Sequence, residues 1–191
     1  MIETYTVKSL ILLVISGVLA GNFALEKLMG AAPVFGLSRK ENNLTALGVG
    51  VLVVMLISAP LLRAVRMFFL ASANLLYLQN ICFTALILCV AYLVAWLAGA
   101  LLKRPMGPYF LVLAVNSAVF GLAVTAASDG LSLTATMLTA LGVGLGYLFT
   151  LFVFAGLREK IDDFYVPKAF RGLPVQLLAA AIISMALLGF K

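Results

Sequence analysis

Thr45-Ala46-Leu47-Gly48-Val49-Gly50 returns unchanged as Thr139-Ala140-Leu141-Gly142-Val143-Gly144, 94 residues further on. Upstream of the two copies lies a second matched pair, Ala32-Pro33-Val34-Phe35-Gly36-Leu37 and Ser117-Ala118-Val119-Phe120-Gly121-Leu122, 85 residues apart. The order is kept and only a loop length differs. The chain therefore reads as one membrane domain over 1–191 built from two related halves, about 1–102 and about 103–191. Chance matching among abundant Gly, Ala, Val and Leu is the competing explanation, and two collinear matches favour duplication over it.

Composition sets the class. The 191 residues are 64% hydrophobic and 10% charged, with a mean hydropathy of +1.19. A soluble domain carries about 25% charged residues, so an all-α integral membrane protein is expected. The length accommodates six spans and short loops, without an added soluble domain. Met1-Ile2-Glu3-Thr4-Tyr5 lacks a basic n-region, so no cleavable signal is expected. The absence of His removes the commonest metal ligand and general base. The net charge of +6 comes from residues at the ends of apolar runs, which points to membrane topology and not to nucleic-acid binding.

The uncharged runs are 9–25, 44–62, 67–102, 105–128, 130–157 and 172–190. A helical crossing takes about 20 apolar residues, and five of the runs fit one crossing each. The run 67–102 is too long for one; its first part, with Asn74, Gln79 and Asn80, reads as an interfacial helix leading into a span from about Ile81. The result is six transmembrane helices, three per half. An odd number per half sends the halves into the membrane from opposite sides, the inverted-repeat arrangement. Arg39, Lys40, Lys103, Arg104, Arg158, Lys160, Lys168 and Arg171 fall on one side, against Lys8, Arg63, Arg66 and Lys191 on the other. By the positive-inside rule the first side is cytoplasmic and both termini are extracytoplasmic.

The first run is the shortest, ended by Glu26-Lys27 and followed by Gly30 and Pro33; the fourth opens with Pro105, Gly107 and Pro108 and carries Asn116-Ser117 near its middle. Matched interruptions of this kind predict broken first and fourth helices that meet near the midplane. Backbone leaves the helix at that depth only where protein or a polar cavity satisfies it, and Asn22 and Asn116 are the candidates for doing so. The alternative for Asn116 is a single polar helix contact worth roughly 0.6 kcal/mol. Glu26 and Lys27 point about 100° apart on a helix and form no i,i+4 pair. Two readings stand side by side: intramembrane charges with a functional role, Glu26 on an ion path, or a Lys27 that simply reaches to the surface. Cys82 and Cys89 lie seven residues apart, about 10.5 Å along one helix, too far for a disulfide or a shared iron; they are expected to pack as buried small apolar residues. The Gly48/Gly50 and Gly142/Gly144/Gly146 clusters predict close helix packing.

At these motifs the chain resembles the RnfA/NqrE family, the A subunit of Rnf electron-transport complexes and its counterpart in sodium-pumping quinone reductases. The resemblance runs essentially end to end. It is carried by Asn22-Phe23-Ala24-Leu25-Glu26-Lys27-Leu28-Met29-Gly30, by Ala32 through Lys40, by Asn116-Ser117-Ala118-Val119-Phe120-Gly121, and by the tail from Leu157 to Gly172, which is closest to the A-type member. It implies a bacterial or archaeal inner (cytoplasmic) membrane protein of six helices that pairs with a homologous E/D-type subunit of opposite topology. It also implies further Rnf-like subunits bearing flavin and iron–sulfur centres, and a role as an electron-relay or non-catalytic subunit. In the family one Cys in each signature, two from each partner, hold a [2Fe-2S] cluster near the midplane, and electron flow is coupled to Na⁺ or H⁺ transport.

The chain departs from that pattern where it matters most: Ala32 and Ser117 occupy the two cysteine positions. Iron–sulfur clusters are held by soft thiolates; Ala has no ligand atom and a Ser alkoxide is a hard, poorly available donor. The scaffold is kept and the site is degenerate, so no cluster ligation by this chain is expected. The function read from this is a membrane subunit of an Rnf/Nqr-like translocase. The alternative is a non-redox transporter or channel on the same inverted repeat.

Overall fold

The two helices that carry the repeated hexapeptide lie against each other and make the most extensive contact in the computed structural model of the chain. The structure describes residues 7–18, 21–30, 44–72, 74–102, 112–161 and 165–189. Its helices are α1 (Val7–Val18), α2 (Leu44–Val65), α3 (Gln79–Leu102), α4 (Ser117–Ser128), α5 (Leu133–Lys160) and α6 (Leu173–Leu188). Around the α2–α5 pair, α1 packs on α5, while α3 and α4 pack on α2. α6 sits at the edge, anchored by buried Ala180 and by the Ser184 hydroxyl, which donates to the Leu25 carbonyl at 2.8 Å.

Small residues make this arrangement possible. A Cβ on Gly142 would lie 2.9 Å from the Val14 carbonyl oxygen, and one on Gly146 would lie 2.7 Å from that of Gly17. Here α1 and α5 touch backbone to backbone, as the glycine clusters predict. On the opposite flank of α5, Gly144 receives Leu52 of α2, while Gly48 of α2 receives Leu148 and Leu151. The repeated motif is thus the packing seam between the halves. Beneath it lies an apolar core that includes Leu47, Val51, Val54, Met55, Val143, Tyr147 and Leu151.

Three stretches are long and apolar enough to cross a bilayer: Thr45–Leu70, Leu76–Leu101 and Leu133–Leu157. The apolar stretch Val112–Ser128, which contains α4, is shorter than these among the described residues. α6 is also short and apolar. The architecture is all-helical and of membrane character.

Two expectations change. α2 does not stop before the charges but runs through Arg63 to Val65 and continues as a π-helical stretch, Arg66–Leu70. Arg66 is accommodated because its guanidinium donates to the Ala127 carbonyl at the end of α4 and to the Gln79 side chain at 3.1 Å. A cation belongs at a helix C-terminus, where the last carbonyls lack intrahelical partners. The interfacial helix expected ahead of α3 is replaced by this π-helical stretch and a short 3-10 turn, Leu76–Leu78. The second change concerns the thiols. Cys89 is exposed on the surface of the chain and Cys82 is half-buried, because the face of α3 that they share points away from the core.

Candidate functional site

The first helix is described over Val7–Val18, and residues 21–30 form a chain of turns. The fourth is interrupted at Val115 and Asn116, between a helical turn at 112–114 and the start of α4. A helix break within hydrocarbon exposes backbone donors and acceptors that lipid cannot satisfy, at several kcal/mol each. The sequence solves this the same way twice. The Asn22 side-chain oxygen accepts from the Ala24 N–H at 3.1 Å, and the Asn116 oxygen accepts from the Ala118 N–H at 3.0 Å. Both side chains are buried. An Asn oxygen reaching the N–H two residues on is a local turn bond that competes with the helix and then restarts it.

Helix α5 supports both breaks from one side. The Asn22 amide nitrogen donates to the Thr150 hydroxyl at 2.9 Å, to the Gly146 carbonyl at 3.0 Å and to Val18 of its own helix at 3.1 Å. One turn away on α5, Tyr147 is fully buried, and its phenol donates to the Gly30 carbonyl at 3.3 Å. Gly30 in turn donates its N–H to the Ser117 hydroxyl at 2.7 Å. Gly30 has φ +73°, and a Cβ there would lie 2.6 Å from the Asn116 side-chain oxygen and 2.8 Å from the Tyr147 ring, so only Gly fits. The Asn116 amide nitrogen is buried and makes no well-formed hydrogen bond among the described residues; the Tyr147 phenol is the polar group beside it.

The structure brings together Asn22, Asn116 and Ser117 of the sequence-derived set around α5, each at a break. Ala32 lies outside the described residues. Glu26 is exposed at the surface of the first break, where its N–H donates to the Asn22 carbonyl at 2.8 Å; Lys27 beside it stacks its ammonium over the Phe23 ring, 4.3 Å from the centroid. Lys27 therefore has a local aromatic partner. Sequence reasoning marked Gly30 only as part of the first interruption, and it missed Tyr147 and Thr150. The last two are three residues apart on one helix, and that spacing next to two predicted breaks was the only signal available.

Of the two positions that the resemblance matches to cluster cysteines, Ser117 lies among the described residues and Ala32 does not. The Ser117 oxygen is engaged with Gly30, its neighbour at the other break. Cys82 and Cys89 lie along α3, half-buried and exposed respectively. Among the described residues no group of three or more His, Cys, Asp or Glu side chains could hold a metal ion.

Comparison with known proteins agrees with the end-to-end resemblance. The family model described as "Rnf-Nqr subunit, membrane protein" matches residues 10–191. The chain is 33% identical, over 96% of both chains, to the A subunit of the ion-translocating oxidoreductase complex of Syntrophotalea carbinolica. It is 31% identical, over 96% of this chain and 97% of the other, to the A subunit of the Na(+)-translocating ferredoxin:NAD(+) oxidoreductase complex of Acetobacterium woodii. The A subunit of the ion-translocating oxidoreductase complex of Thioalkalivibrio sulfidiphilus is 31% identical over 94% of this chain and 95% of its own. With a match that begins at the first helix and reaches the last residue, the chain belongs to the Rnf-Nqr family of membrane subunits.

Proposed function

We propose that this chain is the A-type membrane subunit of an ion-translocating oxidoreductase complex, where it supports electron transfer across the membrane coupled to Na⁺ or H⁺ transport. The observation that carries this reading is the near full-length match to A subunits, combined with two Asn-capped helix breaks meeting on one helix. In this reading the six helices form two inverted three-helix repeats in the inner membrane, with both termini extracytoplasmic. The turns at 21–30 and the interruption at Val115 and Asn116 are read as lying close to the midplane, the place of discontinuous helices in inverted repeats. A homologous membrane subunit of opposite topology covers the exposed side of the breaks, and flavin- and iron–sulfur-bearing subunits complete the complex. Irregular backbone cannot face lipid, so a protein cover is physically required wherever a break reaches the surface of the chain.

This chain contributes no cluster ligand, because Ala32 carries no donor atom and Ser117 is a hydrogen-bond acceptor for Gly30. It acts as framework, and Asn22, Glu26 and Asn116 are the polar groups placed to line an ion path. The test is redox-driven ion uptake by inverted membrane vesicles from cells with and without this chain. Uptake that requires the chain, and that returns on complementation, supports the reading. Uptake that is unchanged without it, in a strain holding no second copy, rejects it.

A further inference from the structure

Gly30 is held on both sides of its own residue. Its N–H donates to Ser117 at 2.7 Å and its carbonyl accepts from Tyr147 at 3.3 Å. Ser117 follows Asn116, and the Asn116 side chain presses on Gly30 beside the Tyr147 ring. The four residues therefore close a ring that joins the first break, the start of α4 and the middle of α5. Gly30 is buried, whereas Ser117 is exposed at the surface of the chain with its oxygen turned to Gly30.

We propose that Ser117 is a hydrogen-bond clasp that fastens the two helix breaks to each other, doing by hydrogen bonding what a shared metal centre would otherwise do by ligation. Three observations carry the step. An N–H in a membrane-embedded turn needs an acceptor, and among the described residues Ser117 supplies the one Gly30 uses. A hydroxyl accepts at 2.7 Å, shorter than a thiol sulfur can, so the breaks close more tightly on Ser than they would on Cys. The bond spans 87 positions of sequence and joins the two halves where each is irregular. It is an inter-repeat tie and not a local cap.

The contrast with a ligating side chain rests on the proposed function. The clasp itself is a property of this fold and is read without any redox measurement, so the two ideas fail separately. The experiment is amide hydrogen exchange of the peptide containing Gly30, with the thermal midpoint, on the purified complex in mild detergent. The variants are Ser117→Ala, Ser117→Thr and, as a control, Ser128→Ala, whose exposed hydroxyl bonds only within its own helix end. Ser117→Ala is expected to speed exchange at Gly30 by about ten-fold or more, as loss of its part-buried acceptor implies, and to lower the midpoint. Ser117→Thr keeps the acceptor, and its methyl has room at an exposed position, so it is expected to match the parent; Ser128→Ala is expected to change neither readout. Failure of Ser117→Ala to fold, with Ser117→Thr folding normally, also supports the clasp. Unchanged exchange in Ser117→Ala, or failure of both variants to fold, overturns it.

Discussion

Asn22 and Asn116 make the same local bond 94 positions apart, each side-chain oxygen accepting from the backbone N–H two residues on. That spacing equals the offset of the repeated hexapeptide. The matched pair Ala32 and Ser117 is offset by 85, so the two Asn share a local bond and not an aligned place in that motif. The two Asn are not equivalent in what else they do. Asn22 also donates to three acceptors, whereas the Asn116 amide nitrogen makes no well-formed bond among the described residues.

This asymmetry predicts unequal costs. Asn22→Ala leaves the Ala24 N–H without its acceptor and removes the side-chain bonds to Gly146 and Thr150, and is expected to lose on the order of 2–3 kcal/mol. Asn116→Ala removes one accepting oxygen and is expected to lose about 1 kcal/mol. Unfolding in mixed micelles at graded denaturing-detergent fractions measures both. Equal losses, or a larger loss at position 116, would show that the hydrogen bonds to α5 are not what stabilises the first break.

The seam between α1 and α5 gives a sign contrast. Gly146→Val forces a branched side chain onto the Gly17 carbonyl and is expected to cost about 1–3 kcal/mol through overpacking. Gly156, on the same helix, has open space where its Cβ would sit. There Gly156→Ala is expected to be neutral or to stabilise by up to about 1 kcal/mol. Thermal midpoints of the two variants in one detergent decide the matter.

Arg66 caps α4 from the end of another helix. Arg66→Ala removes the charged donor from the Ala127 carbonyl and the bond to Gln79, and is expected to cost about 1.5–3 kcal/mol. Arg66→Lys keeps the charge but not the forked geometry and is expected to recover part of the loss. A full recovery would reduce Arg66 to a point charge near a helix end.

The thiols supply a labelling test. Cys89 is exposed on α3 and Cys82 is half-buried, one helix face and about 10.5 Å apart. In the isolated, detergent-solubilised chain a small maleimide is expected to modify Cys89 several-fold faster than Cys82, with no intramolecular disulfide by mass. Equal rates would mean that α3 is rotated relative to the core.

Much of this was legible in the sequence, for identifiable reasons. Apolar runs locate helices because hydrocarbon admits little else, and the run starting at Leu44 begins where α2 begins. Asn22 and Asn116 were visible because an amide stands out in an apolar stretch. The end of α2 was misplaced because Arg66 looks like a boundary until its acceptor on α4 is known. Tyr147 and Thr150 were hidden because nothing in α5 distinguishes them from their neighbours before the breaks are docked against it. Gly30 was marked as part of a Gly/Pro-rich stretch, but its positive φ and its two hydrogen bonds depend on residues 87 and 117 positions away. Cys89 was misjudged because a uniformly apolar helix carries no signal of which face is the core.

The central claim is that this protein keeps the family's scaffold while its own residues close the cofactor position. A high-resolution map of the intact complex, purified through a tag on this chain, tests it most directly. The account predicts a homologous subunit covering the breaks, the Ser117 oxygen at hydrogen-bond distance from the Gly30 nitrogen, and no metal within bonding distance of Ser117 or Ala32. Continuous density from the Ser117 oxygen, or from the backbone beside Ala32, to an iron–sulfur cluster would contradict it.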